Sequence, residues 1–362
     1  MLMRGGSSKG AYFVEADLPS NAAERDDLLL RIMGTPDSRQ IDGIGGAHPL
    51  TSKVAVVRRS ANAGADLDYL FLQVGVDEAV VTDRQNCGNL LAGVAPFAIE
   101  RGLLDVDPNA TTVEARILMR NTGAIATAAV SVANGRPVYS GATSISGVPG
   151  AAAPIRLDFE DVAGGSCGAL LPTGNVVDDI DGVACTLIDN GMPAVVLRAD
   201  AVGIEGDEPP TGLEANTELR TRLERIRLAA GHLMNLGDVT DTTVPKLTMV
   251  SPPRTTNGAI NTRTFIPHRC HDAIGVLGAL SVATAALLPD SPANELLVDG
   301  ADGQVVLEHP TGTFQAAITF EVVDGVPVID RAGFVRTARK LMDGTVFPRD
   351  VPPGRTAARQ GA

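Results

Sequence analysis

Two stretches of this chain are apolar around the whole helical circumference, so each has to be enclosed by the rest of the fold. The first runs from Gly88 to Arg101 and shows no polar stripe after its opening turn; a helix of that kind is stable only when other structure surrounds it. Pro96 predicts a kink, because proline has no amide proton and its ring meets the carbonyl four residues back. The second, Asp272 to Leu288, has no polar side beyond its first residue. It falls short of the ~20 residues a bilayer crossing needs and predicts a buried helix. A cysteine with polar neighbours precedes both, at Cys87-Gly88-Asn89 and Cys270-His271-Asp272. That rhyme predicts an α+β chain of two pseudo-symmetric lobes, each a barrel-like sheet wrapped around one apolar helix.

Sheet material is present in both halves. Strands are expected near Val54-Val57, Leu70-Val74, Thr112-Met119 and Ala124-Val132, then near Ala184-Ile188, Ala194-Leu197, Leu247-Val250 and Gln315-Val322. A third helix is amphipathic. Leu219, Leu223, Ile226, Ala230 and Leu233 recur at steps of four and three, Asn216 is placed to cap it, Gly237 to end it, and its arginines are expected on a solvated face. Small and proline-punctuated residues 141–154 predict the linker. The expected domains are therefore 1–150 with Lys53 and Cys87, 151–340, and a tail 341–362 that packs back on the first lobe or is partly disordered. The 362 residues suit two domains.

The formal charge of −13 argues against nucleic acid or an anionic membrane as partner, since both repel such a surface. An anionic substrate would need a local positive pocket. Cys87, Cys167, Cys185 and Cys270 show no close pairing and read as free thiols in a reducing cytoplasm. The opening Met1-Leu2-Met3-Arg4 lacks the apolar core of a signal peptide.

Cys87 stands where the amides of a helix start converge, a setting that lowers a thiol pKa and can also hold a carboxylate; an inert buried cysteine is the alternative. Lys53 sits at the mouth of an apolar strand, where desolvation could let it shed its proton, although a lysine capping a strand is the commoner role. Arg4-Gly5-Gly6-Ser7-Ser8-Lys9-Gly10 lacks the order of a phosphate loop and suits carboxylate binding or an ordinary turn. Gly164-Gly165-Ser166-Cys167-Gly168 spells a nucleophile elbow, but Pro172 and Gly174 leave no room for its helix. His268-Arg269-Cys270-His271-Asp272 gathers no convergent metal ligands, and no metal is expected. Arg269 suits a carboxylate through its planar fork, or a structural salt bridge.

Five motifs in order, Met3-Arg4-Gly5-Gly6-Ser7-Ser8-Lys9-Gly10, His48-Pro49-Leu50-Thr51-Ser52-Lys53, Gln85-Asn86-Cys87-Gly88-Asn89, Leu171-Pro172-Thr173-Gly174-Asn175 and His309-Pro310-Thr311-Gly312-Thr313, resemble the PrpF family. The resemblance spans nearly the whole chain. It implies the two-lobed fold of diaminopimelate epimerase, an active site between the lobes, and cofactor-independent isomerisation of a small unsaturated tricarboxylate. Keto-enol tautomerisation of 4-oxalomesaconate, a step of gallate breakdown, is the leading expectation. Cis-trans isomerisation of 2-methylaconitate is the alternative, and a carboxylate-binding regulatory protein the non-enzymatic one. Lys53 and Cys87 match the family's lysine and cysteine, the lysine being its acid/base. Ser7, Ser8, Asn86, Gly88, Asn89, Arg269, Thr311 and Gly312 are expected to bind substrate, and Cys270, His271 or Asp272 to supply a second acid/base group. A homodimer is compatible with the resemblance.

Overall fold

The computed structural model describes residues 1–350 except 84–86, 161, 299–302 and 324–325. The chain divides into two compact units. The first comprises Met1–Thr143, Gly150–Ile155 and the chain from Arg336 onward; the second comprises Ser144–Pro149 and Arg156–Val335. The described chain passes between the units at 143/144, 149/150 and 155/156, and again inside the last strand, between Val335 and Arg336.

In the first unit the strands are β1 (Leu2–Gly5), β2 (Ser8–Val14), β3 (Lys53–Arg59), β4 (Leu67–Val74), β5 (Val81–Thr82), β6 (Thr112–Met119), β7 (Ile125–Ala133) and β8 (Arg136–Pro137). β2 and β3 run parallel with Gly10 beside Lys53 and Tyr12 beside Ala55. β3 and β4 run antiparallel, pairing Lys53 with Gln73, Ala55 with Phe71 and Val57 with Tyr69. Side chains alternate along a strand, so Ser8, Lys53, Gln73, Phe71, Tyr12 and Tyr69 share one face. The opposite face carries Ala11, Val54, Val56, Leu70, Leu72 and Val74, which pack on Leu29 and Met33 of helix α1 (Ala22–Met33).

Helix α1 was absent from the sequence reading, although its ends are marked. The Asn21 side chain accepts from the amides of Ala23 and Glu24, and Gly34 closes the helix at φ 78°. The apolar segment after Cys87 forms two short helices, α2 (Gly88–Leu91) and α3 (Val94–Glu100). The break falls at Ala92-Gly93, four to three residues before Pro96, because the proline can neither donate to the Ala92 carbonyl nor tolerate it at helical distance. α2 touches β1 and β2, and α3 touches β3, β7 and β8. Strands from both sides of the unit's sheet thus meet the helix pair, which is the expected wrapping.

The connecting β9 (Pro154–Phe159) leads to β10 (Asp178–Ile180), β11 (Val183–Asp189), β12 (Pro193–Arg198), β13 (Lys246–Ser251), β14 (Ile260–Phe265), β15 (Gln304–His309), β16 (Gly312–Val323) and β17 (Val326–Met342). Helices α4 (Pro210–Ala215) and α5 (Thr217–Leu233) precede β13, and α6 (Val276–Leu287) precedes β15. Asn216 caps α5 through Oδ1, which accepts the Leu219 amide at 3.0 Å. Arg227 departs from the solvated face expected for this helix. It is fully buried, bonds Glu224, and donates to the carbonyls of Val239 and Val244. The loop before β13 needs those donors for its own carbonyls, and only a long cationic side chain reaches them.

The two units repeat one plan. The neighbours β1-β2-β3-β4-β6-β7 pair in the order antiparallel, parallel, antiparallel, parallel, antiparallel. The series β11-β12-β13-β14-β15-β16 pairs in the same order. α1 and α5 occupy the same place in the two series, as do α2-α3 and α6. The correspondence extends to atoms: a Cβ at Gly6 (φ 52°) would lie 2.2 Å from Oδ1 of Asn89, the second residue of α2, and a Cβ at Gly191 (φ 91°) would lie 3.2 Å from Leu277, the second residue of α6. Lys53, first in β3, therefore corresponds to Lys246, first in β13.

α6 starts at Val276, four residues later than expected, with Gly275 at its cap. Its polar side chains Ser281 and Thr284 bond inward to Asn190. Ahead of it the His271 ring accepts the Ala273 amide at 2.8 Å, which turns the chain before the helix begins. Among the described residues no helix is long and apolar enough to cross a membrane. At the tail, Leu341 and Met342 end β17, the Arg349 side chain donates to the Thr35 carbonyl, and the Arg349 carbonyl accepts from Arg31. Residues 351–362 lie outside the described residues.

Candidate active site

Six of the residues singled out by sequence, Lys53, Cys87, Ser7, Ser8, Gly88 and Asn89, lie in the first unit along β2 and the turn before it, at the start of β3 and at the start of α2. Lys53 is 7% exposed. Its Nζ donates to Gln73 Oε1 at 2.7 Å and lies 5.0 Å from the centroid of the buried Phe71 ring. The Ser8 hydroxyl, in the adjacent strand and on the same face, is buried with no hydrogen-bond partner among the described residues. An orphaned buried hydroxyl costs free energy until something fills its need.

Cys87 caps α2 with extended backbone and no side-chain cap bond, and is 9% exposed. Its carbonyl accepts from Tyr69 Oη at 3.3 Å, while Tyr12 Oη donates to the next turn at the Leu90 carbonyl, 2.6 Å away. Burial first, and the nearby Cys87 second, hold both phenols well above their ordinary pKa. They are neutral posts that fix α2 to the sheet. The expected long helix behind Cys87 is one turn followed by a break, so what its start offers is the amides of Gly88 and Asn89, which precede any possible acceptor within the helix.

Asn89 joins these parts. Its Nδ2 donates to Ser7 Oγ at 3.2 Å, and its Oδ1 accepts from the Ser7 amide at 3.4 Å and from Arg336 Nε at 3.3 Å. Arg336 is the functional candidate that sequence reasoning missed. The β1-β17 register sets Gly5 against Ala338, and two residues on, the alternation returns Arg336 to the covered face. Burial pushes its guanidinium down to about 10, so a carboxylate arriving there would relieve an unfavourable desolvation. Arg4 anchors the same turn through its bonds to the Gly6 and Thr337 carbonyls at 2.8 and 2.9 Å.

The remaining expected residues lie elsewhere. Asn86 is outside the described residues. Arg269 has a side chain 81% exposed whose Nε reaches Glu214 at 3.3 Å; the structural salt bridge is the reading that fits it, and Arg336 supplies the buried cation instead. Cys270 lies apart from the first unit's residues. It bridges to Phe265 and joins the apolar cluster built with Leu219, Leu223 and Ile226 of α5, on the side of the sheet away from α6. Burial pushes its thiol up to about 11, which keeps it protonated and unsuited to act as a base. The position matching Cys87 in the second unit is Gly275, the cap of α6.

His271, Asp272, Thr311 and Gly312 do come together in the second unit. Thr311 Oγ1 donates to the Asp272 carbonyl at 2.7 Å, Gly312 follows in the same turn, and His271 is close enough to Lys246 to feel its charge. Burial first, then Lys246, lowers the His271 pKa against the pull of Asp272. The Gly164-Gly168 segment is a hydrogen-bonded turn whose Ser166 and Cys167 amides donate to Asp189, with no helix after it. Among the described residues no group of three or more His, Cys, Asp or Glu is gathered as a metal site would require.

The chain is similar to known proteins over nearly its whole length. A (4E)-oxalomesaconate Δ-isomerase of Novosphingobium sp. strain KA1 is 58% identical over 349 residues, covering 96% of each chain. A 4-oxalomesaconate tautomerase of Pseudomonas putida is 56% identical over 348 residues, 96% of this chain and 94% of that one. The crystal structure of a methylitaconate Δ-isomerase superposes with a TM-score of 0.84 at 34% identity, covering 95% of this chain and 93% of the other. The PrpF protein family matches residues 1–349. By sequence and fold, the chain belongs to the PrpF family.

Proposed function

We propose that this protein is a cofactor-independent isomerase that moves a proton within a small unsaturated tricarboxylate, with 4-oxalomesaconate as substrate and keto-enol tautomerisation as the reaction. The observation that carries the reading is Lys53: a buried amine held by a neutral acceptor and an aromatic ring, on the sheet face that α2 covers with Cys87. High identity to the two oxalomesaconate enzymes supports the substrate.

A carbon-bound proton next to a carbonyl and a carboxylate is already acidic, and its transfer needs a positioned base more than a metal or an organic cofactor. Lys53, as the free amine, takes that proton; the electron pair moves into the carbonyl and leaves an enolate; a proton returns to oxygen, and Cys87 is the acid/base partner in this exchange. Arg336, the Ser7 and Ser8 hydroxyls and the amides of Gly88 and Asn89 hold carboxylates and steady the developing charge. This answers how a protein of charge −13 accepts an anion: the positive site is local and partly desolvated.

The test is a screen of 4-oxalomesaconate, 2-methylaconitate and aconitate, followed by ultraviolet absorbance and by NMR in deuterated water. Turnover of 4-oxalomesaconate with deuterium entering the carbon skeleton is expected. Turnover confined to 2-methylaconitate would move the assignment to cis-trans isomerisation at the same residues. No turnover of any of them, with tight binding retained, would support a carboxylate-binding protein.

A further inference from the structure

We propose that Gln73 is the residue that positions the Lys53 amine and leaves it able to give up its proton, by presenting a neutral acceptor where a carboxylate would lock the ammonium form. The proposal rests on the reading of Lys53 as the base.

The amide of Gln73 cannot be turned round. Its Nε2 donates to the carbonyls of Pro49 and Ser52, each at 3.0 Å, and of Val74 at 3.3 Å. Reversing the amide would set its oxygen against three carbonyl oxygens. Oε1 is therefore committed to Lys53, at 2.7 Å. An amide oxygen accepts from an ammonium and from a neutral amine alike, so it fixes Nζ in space while adding no charge that favours either form. An adjacent carboxylate would favour the ammonium strongly.

The surroundings are consistent with that role. The titratable groups on the sheet face that Lys53 shares, or on the elements that cover it, are Cys87 at the cap of α2, Tyr12 of β2, Tyr69 of β4 and Arg336 of β17, with His48 in the turn just before β3 and Lys9 on the other face of β2. None is a carboxylate, and among the described residues Nζ makes no ion pair. The duplicated fold shows that this acceptor is not a structural necessity. Lys246 starts β13 as Lys53 starts β3, yet the register that pairs Leu247 with Phe265 sets Ile266 at the place of Gln73, and Lys246 Nζ turns instead to the Thr243 carbonyl at 2.6 Å.

Two variants of the full chain, Gln73→Glu and Gln73→Met, test the proposal through kcat against pH, with KM and Tm measured beside it. Gln73→Glu keeps size and reach but adds the charge. The ascending limb of its kcat profile should move to higher pH than that of wild type, by about one to three units, because a carboxylate beside an amine favours the ammonium form. Gln73→Met removes the acceptor, and should lower kcat at least ~10-fold with KM changed by less than about threefold, because a misplaced base slows the proton transfer and not the binding of carboxylates. A role confined to bracing the Pro49-Ser52 turn would lower Tm in both variants without moving the limb. Coincident limbs for Gln73→Glu and wild type, or wild-type kcat in Gln73→Met, overturn the proposal; if Gln73→Glu does not fold, the Gln73→Met result decides alone. Lys53→Met is assayed in parallel. If it retains turnover the base assignment fails, whereas an inactive Lys53→Met beside an unshifted Gln73→Glu removes only the role given to Gln73.

Discussion

Replacing Lys53 by Met should separate catalysis from stability. The side chain is 7% exposed and lies over the Phe71 ring, so an unbranched apolar residue of similar length can follow the same path. What is lost is one hydrogen bond to Gln73. Leaving a polar atom without its donor costs about 1–3 kcal/mol when it is buried, and Gln73 is only half-buried, which places the penalty at the low end. Against this, a polar group is removed from a desolvated position, and a thioether over an aromatic ring contributes about 0.3–1.5 kcal/mol. The terms nearly cancel, so Tm should move by no more than about 4 °C for a protein of this size. Turnover should behave differently: a general base contributes about 10²–10⁴-fold, and kcat should fall by that factor while KM stays within about threefold. The assay is initial-rate absorbance at saturating 4-oxalomesaconate, with deuterium uptake from solvent followed by NMR. A folded Lys53→Met protein that kept more than about a tenth of wild-type kcat would refute the reasoning, since no general base is worth so little.

At neutral pH, limited iodoacetamide should modify Cys87 ahead of Cys167 and Cys185, because burial pushes both of those thiols up to about 12; mass spectrometry showing either of them labelled first, or a Cys87 rate indifferent to saturating substrate, would count against the site. Arg336→Ala should raise KM by about 10- to 100-fold, the value of a charged hydrogen bond to a carboxylate, whereas Arg269→Ala should change it less than about twofold; the reverse ranking would return the anchor to Arg269. His271 has a folded pKa lowered by burial, so as pH falls the unfolded chain binds the proton first and stability is lost from about pH 6.5 downward. The urea midpoint of wild type should therefore drop between about pH 7 and 5 more steeply than that of His271→Gln, and equal slopes would show that His271 does not contribute.

Much of the plan was legible locally. An uninterrupted apolar surface from Leu90 to Ile99 and from Ala279 to Ala286 can only be enclosed, whatever surrounds it. The Asn216 cap and the steps of Leu219, Leu223 and Ile226 define α5 from short-range geometry alone, and the motifs around Ser7, Lys53 and Cys87 identify a family. Asn21 and Gly34 marked α1 just as plainly. Other features were decided by pairings between distant segments. Arg336 and Arg339 look alike in sequence, yet the β1-β17 register turns Arg336 toward the buried face and Arg339 outward. Arg227 reads as a surface arginine until the loop before β13 brings it three carbonyls. Cys270 sits next to His271, but its bridge to Phe265 sends it to the α5 side of the sheet. Gln73 is unremarkable in its strand until β3 sets Lys53 opposite it. Helix periodicity and capping are properties of neighbours along the chain, whereas a side chain's face in a sheet depends on a register that one residue of slip would reverse, and that register is set only when the strands meet.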